Sequence, residues 1–233
     1  MAKLTRLKGL DIYVRPPIYY QQKKGACRAH CTYWLKSHFE DGGKYLAGLT
    51  NNEGFTSILM AKTVTAYPSF RVQPGGNDSA QAVELQDKLF AKSGGPRPTE
   101  EQRAAMSWGI IHPGKIYGGA ITVNGLDNVS LPKIIANNGT TYRCTLLTLS
   151  EGVSSNDNPL VRSNYTHHAV ATFCGPAVFS FFDPSVGEFS VTRANAKALT
   201  AAYWGDVSDP NDTFKWKDNT VIVEHTSEGF GQV

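Results

Sequence analysis

A cysteine at position 27, two histidines at 167 and 168 and an aspartate at 183 are the side chains best suited to do chemistry in this sequence. Cys27 follows the loop-like run Gln21-Gln22-Lys23-Lys24-Gly25 and opens a stretch, Ala26 to about Phe39, without glycine or proline. Within it Ala29, Tyr33 and Cys31, Trp34, Leu35 recur at three- and four-residue spacing, which predicts a helix that ends at Asp41-Gly42-Gly43. A thiol on the first turn of a helix meets unpaired N–H groups and the positive end of the dipole, and both favour the thiolate. Lys23, Lys24 and Arg28 add positive potential, screened by salt over roughly 8–10 Å. The same position equally suits a small buried hydrophobe. Cys31, one turn further along that face, reads as core. Cys27, His30 and Cys31 do not have the spacing of zinc ligands and no second ligand pair follows, so no metal is expected and no cofactor is called for.

A nucleophilic cysteine needs a base and a group to orient that base, and both are brought in from distant sequence. Residues 165–183 read as two strands joined by Gly175-Pro176. If those two residues alone make the turn, Cys174 faces Ala177 and, counting outwards, His168 faces Asp183 on one side of the sheet. His167 then faces Pro184 on the other side, and a slip of one residue would exchange the two histidines. The competing reading is a solvated strand end with an incidental Asp-Pro turn. His30 lies about a quarter-turn off the Cys27 face, and His38, His112 and His225 have no acidic or amide partner arranged around them, so these four read as surface or satisfied core.

Two sets of elements must position these groups. Helical patterns run over about 55–65, from the cap candidates Asn77-Asp78-Ser79 to Ala91, and from Thr99 to Trp108, where Thr99-Glu100-Glu101-Gln102 offers a polar start. The second half concentrates Val, Thr, Tyr and Phe in strand-like runs at 117–123, 140–149, 165–174, 177–183, 187–192 and 219–226, with helices near 129–137 and 193–203. This is an α+β arrangement, a helical lobe followed by a mostly antiparallel sheet. Phe179, Phe181 and Phe182 cannot share one face of a strand, so the sheet should be buried on both. Tyr19, Tyr20 and Trp34 line a cleft or pack ordinarily. Residues 1–25 form an irregular or extended basic lead-in, and 26–233 a single domain.

The composition agrees. The 233 residues are 41% hydrophobic and 18% charged, enough apolar material for a core and too little charge for a disordered chain. A net charge of +3 gives no reason to expect nucleic-acid binding, although residues 1–36 carry +7 and the remainder −4. Four cysteines in a chain of this length read as free thiols rather than a disulfide scaffold. The first 25 residues lack the apolar region of a secretory signal, and no stretch reaches the ~18–20 apolar residues of a membrane span.

The local wording carries a resemblance. Gly25-Ala26-Cys27, with Cys31, Trp34 and Leu35 beyond it, resembles the nucleophile segment of the YopT/AvrPphB family of bacterial effector proteases, a branch of the papain-like cysteine proteases. His168-Ala169 and Phe182-Asp183-Pro184-Ser185-Val186-Gly187-Glu188-Phe189 resemble the family's base and acid segments, with Ser185 where the usual residue is Asn. The likeness covers about 23–36 and 165–191 and leaves the ~130 residues between them unaligned, so it implies mechanism more than substrate. It implies a papain-like fold, Cys27 as nucleophile, His168 as base and Asp183 as the group that orients it. It also implies an oxyanion hole made by the Cys27 N–H and a side-chain amide five or six residues upstream, Gln22 or Gln21. The implied enzyme is a cysteine endopeptidase made in a bacterial cytoplasm, exported by a dedicated secretion system, and acting on a specific protein of a host or target cell. The +7 segment around Cys27 argues against a strongly basic substrate, although the −4 remainder could supply an acidic groove. Glutamine deamidation or transglutamination on the same three residues, and a non-catalytic binding protein, are the alternatives.

Overall fold

The structure is a computed structural model that describes residues 13–15, 26–40, 42, 76–92, 94–114, 116–124, 130–150, 167–184, 187–207 and 220–233. Gln21, Gln22, Tyr19, Tyr20 and the helix expected over 55–65 lie outside the described residues. In chain order the elements are β1 (Tyr13–Arg15), α1 (Cys27–Glu40), α2 (Gly76–Leu89), α3 (Glu100–Ile111), β2 (Tyr117–Asn124), α4 (Ser130–Ile135), β3 (Thr140–Tyr142), β4 (Cys144–Ser150), β5 (His167–Cys174), β6 (Val178–Asp183), β7 (Gly187–Thr192), α5 (Ala196–Val207), β8 (Thr220–Thr226) and β9 (Gly229–Gln232). Part of the basic lead-in is therefore extended: β1 pairs with Glu188–Ser190 at the sheet edge. The strand expected over 140–149 is broken at Arg143, and its first piece pairs with β9 in a separate two-stranded ribbon.

Seven strands form one antiparallel sheet in the order β1-β7-β6-β5-β4-β8-β2. Helices cover both of its faces. Along β6 the side chains alternate, so Phe182 packs with Trp34 and Leu35 of α1 and Trp108 of α3. Phe179 and Phe181 pack on the opposite face with Leu131 and Ile135 of α4 and Leu199, Tyr203 and Trp204 of α5. All three phenylalanines are fully buried, as their spacing requires. The indole of Trp34 stacks on Phe182 with centroids 5.2 Å apart and planes at 18°, which fixes α1 over β6.

Local chemistry explains where the helices begin. Thr99 caps α3 with its hydroxyl on the Gln102 N–H at 3.2 Å, and the Gln102 amide returns the bond to the Thr99 N–H at 2.8 Å. Helix α1 begins at Cys27, its first intrahelical bond running from His30 N–H to Ala26 C=O at 2.9 Å. One orphan N–H of that first turn, on Ala29, is taken by the Gln86 amide oxygen of α2 at 3.1 Å. Helix α2 therefore holds the start of α1 in place by a specific bond as well as by the contact of Ala29 with Ala82, Leu85 and Leu89.

Candidate active site

Cys27 stands on the first turn of α1 with 7% of its surface exposed. Burial pushes its thiol pKa up, but the hydrogen bond and positive charge of the His168 imidazole, with backbone contacts at Ala169 and Arg28, outweigh that and pull it below the ordinary 9.0. The other three thiols go the other way. Cys31, whose Sγ is 3.3 Å from the Ala169 carbonyl, is raised by burial and by the negative neighbours Cys27 and Asp183. Burial also raises Cys144, and pushes Cys174 up to about 11. Iodoacetamide at neutral pH should accordingly label Cys27 at least ~10-fold faster than any other cysteine, as read by peptide mass mapping. Preferred labelling of Cys31 or Cys144 would contradict this ordering.

The imidazole that meets the thiol also meets a carboxylate. His168 Nε2 lies 2.8 Å from Asp183 Oδ1, both residues being buried, which leaves Nδ1 to face Cys27. Burial pulls the His168 pKa down, yet the charge and hydrogen bond of Asp183, reinforced by Cys27, raise it to about 10. The signs are complementary. The Cys27 thiol pulled down and the His168 ring held up both favour the thiolate–imidazolium form of the pair.

The strand register that joins His168 to Asp183 differs from the expected one. Cys174 pairs with Phe179 and Ala171 with Phe182, so the turn is centred one residue further along than expected, on Pro176-Ala177 instead of Gly175-Pro176. The Gly175 N–H closes this connection on the Val178 carbonyl at 2.7 Å. The shift is by two residues, which preserves the face of every side chain, so Asp183 sits diagonally from His168 rather than directly opposite and still reaches its ring. His167 is the first residue of β5 and pairs with Ser150.

Two further groups join the site from distant elements. The Tyr203 hydroxyl of α5 donates to Asp183 Oδ2 at 2.5 Å. On the other side of Cys27, Arg28 is buried and forked onto Glu224 of β8, with Nη1 2.7 Å from Oε1 and Nη2 3.0 Å from Oε2. Trp108 Nε1 donates to Glu224 Oε2 at 2.7 Å, and Arg28 reaches Ser107 at 3.1 Å and Thr148 at 2.9 Å. The residue after the candidate nucleophile is thus clamped between α3, β4 and β8. Sequence reasoning missed both groups. Neither residue signals its role in the sequence: Tyr203 only ends a predicted helix, and Glu224 alternates with the core residues Val221 and Val223, so the strand pattern gives it the face that a polar side chain ordinarily takes to solvent.

The remaining histidines fall elsewhere. His30 is fully buried and its pKa is lowered by burial to about 4. His38 stacks on Phe173 and lies 3.8 Å from Glu188, His112 accepts from the Gly114 N–H, and His225 stacks on Tyr142. Among the described residues there is no group of three or more His, Cys, Asp or Glu that could hold a metal ion, and no helix long and apolar enough to cross a membrane.

The solved structure of the Pseudomonas avirulence protein AvrPphB is similar to this chain with a TM-score of 0.51 and 17% identity, over 88% of this chain and 93% of that one. The YopT domain of a Pasteurella multocida toxin is matched with a TM-score of 0.32 and 15% identity, over 84% of this chain and 88% of that one. No protein-family model and no curated protein matches the chain. The likeness to AvrPphB is one of fold: the chain has the papain-like α+β arrangement, helices first and a mostly antiparallel sheet after them.

Proposed function

We propose that the chain is a cysteine endopeptidase of the bacterial effector type, with Cys27 as nucleophile, His168 as general base and acid, and Asp183 as the group that orients the imidazole. The observation that carries this reading is the unbroken contact from the Cys27 thiol through the His168 ring to the Asp183 carboxylate at a helix start. The AvrPphB-like fold and the matching motifs support it from independent directions.

The chemistry follows from the geometry. The Cys27 thiolate attacks the carbonyl carbon of a peptide bond, forming the C–S bond while the carbonyl oxygen takes the negative charge. Cys27 N–H, on the first turn where no intrahelical acceptor exists for it, is one donor to that oxyanion, and the Gln22 amide (or that of Gln21) is the second. Protonated His168 gives its proton to the leaving amine as the C–N bond breaks. It then takes a proton from water, whose oxygen displaces the thiolate and releases the acid. Asp183 stays ionised throughout and stabilises the imidazolium. The substrate is a specific protein of a host or target cell, and the +7 charge of residues 1–36 disfavours a strongly basic one.

Incubating host-cell lysate with wild-type protein and with Cys27→Ala, then comparing new protein N-termini, tests the reading. New termini that need Cys27 are expected, and the candidate substrate should yield two fragments by intact mass. An uncut chain heavier by about 1 Da would instead mean that the acyl-enzyme forms on a glutamine side chain, and the endopeptidase assignment would fall.

A further inference from the structure

We infer that Tyr203 is a positioning residue of this site, its hydroxyl holding the Asp183 carboxylate in the ionised state and in the orientation that presents Oδ1 to His168. The inference rests on the role proposed above for Cys27, His168 and Asp183, and assigns a fourth residue, from a different element, to the same chain of contacts.

The geometry divides the carboxylate between two partners. Oδ1 faces His168 Nε2 at 2.8 Å and Oδ2 receives the Tyr203 O–H at 2.5 Å. An aspartate carboxylate can turn about its Cβ–Cγ bond away from an imidazole, and a second hydrogen bond to the other oxygen opposes that rotation. Asp183 is also only 3% exposed, a place where an anion persists only if donors replace the water it has lost. Tyr203 is well suited to be such a donor. It is fully buried, and its ring is held 4.3 Å from Phe181 and 5.0 Å from Trp204, so the hydroxyl is delivered by a rigid support. Burial and the Asp183 charge both hold the phenol protonated, so it remains a donor wherever the carboxylate is ionised.

A bond that merely ties α5 to β6 would affect melting alone. One that stabilises the ionised carboxylate must also shift the pH range in which the thiolate–imidazolium pair exists. In Tyr203→Phe the ring packing stays and the carboxylate loses one of its donors. Protonation of Asp183 becomes easier, the imidazolium loses its counter-charge at a higher pH, and the thiolate is lost with it.

The test is the pH profile of Cys27 alkylation by iodoacetamide in the full chain, with thiolate absorbance in the ultraviolet as a second readout. The acid limb should rise by about one pH unit in Tyr203→Phe. A fluorotyrosine at position 203, a stronger donor of nearly the same shape, should move that limb the opposite way and keeps the inference testable should the phenylalanine variant fold poorly. Leu199→Ala, which weakens the same α5 core without touching the carboxylate, should lower the melting temperature and leave the limb in place. A Tyr203→Phe profile that superimposes on wild type in folded protein overturns the inference and spares the role of Cys27. An ordinary thiol profile in the wild type overturns both, so the two failures are distinguishable.

Discussion

His168→Ala should lower substrate cleavage by about four orders of magnitude while the protein stays folded. Two losses combine in this one substitution. The general base and acid disappears, so the leaving amine must depart without a proton donor within reach. The thiolate disappears too, because the His168 hydrogen bond and charge lead the influences that hold the Cys27 pKa down, against burial that pushes it up. Read twice, the variant should therefore show both the loss of cleavage and a collapse of iodoacetamide labelling at neutral pH, the second without any substrate. Circular dichroism separates these from unfolding. His167→Ala is the control: the two Asp183 oxygens are already engaged by His168 and Tyr203, and most activity should remain. Comparable loss in both variants, or near wild-type cleavage by His168→Ala, would refute the assignment of the base.

That His168 rather than His167 meets Asp183 was legible because a strand has a period of two, and parity survives any even error in register. The turn itself departs from the one the sequence suggests. Gly175-Pro176 suggests a two-residue hairpin, but proline lacks an N–H and fixes φ, whereas the tight turns that close antiparallel pairs favour positive φ. The turn instead moves one residue along, so that Pro176 is the first of its two tip residues and the Gly175 N–H bonds Val178 C=O across them. The helix that carries Cys27 was readable from local spacing, because helix starts are set by neighbours in sequence. Tyr203 and Glu224 were not, because what makes them matter is a partner 20 residues away for the first and 196 for the second. Glu224 leaves no trace, because alternation with Val221 and Val223 makes a charge at 224 look like an ordinary outward-facing residue.

Glu224→Ala should destabilise the protein by about 3–5 kcal/mol, since it strands a buried guanidinium without its counter-charge. Arg28 has 4% of its surface exposed and spends two of its nitrogens on Glu224, while Trp108 spends its indole N–H on the same carboxylate. Removing that carboxylate leaves an uncompensated cation and an orphaned N–H, and the bonds of Arg28 to Ser107 and Thr148 involve neutral oxygens that cannot replace the charge. Urea unfolding should show a lower midpoint with an unchanged slope. The pair Arg28→Met with Glu224→Leu, which removes both charges and keeps most of the volume, should recover much of the loss. If it does so while the rate of Cys27 alkylation falls below that of the wild type, the ion pair also serves to hold the residue after the nucleophile at its place on α1. Equal stability losses in the single and double variants would mean that the cost lies in shape at this junction of α1, α3 and β8, and not in charge.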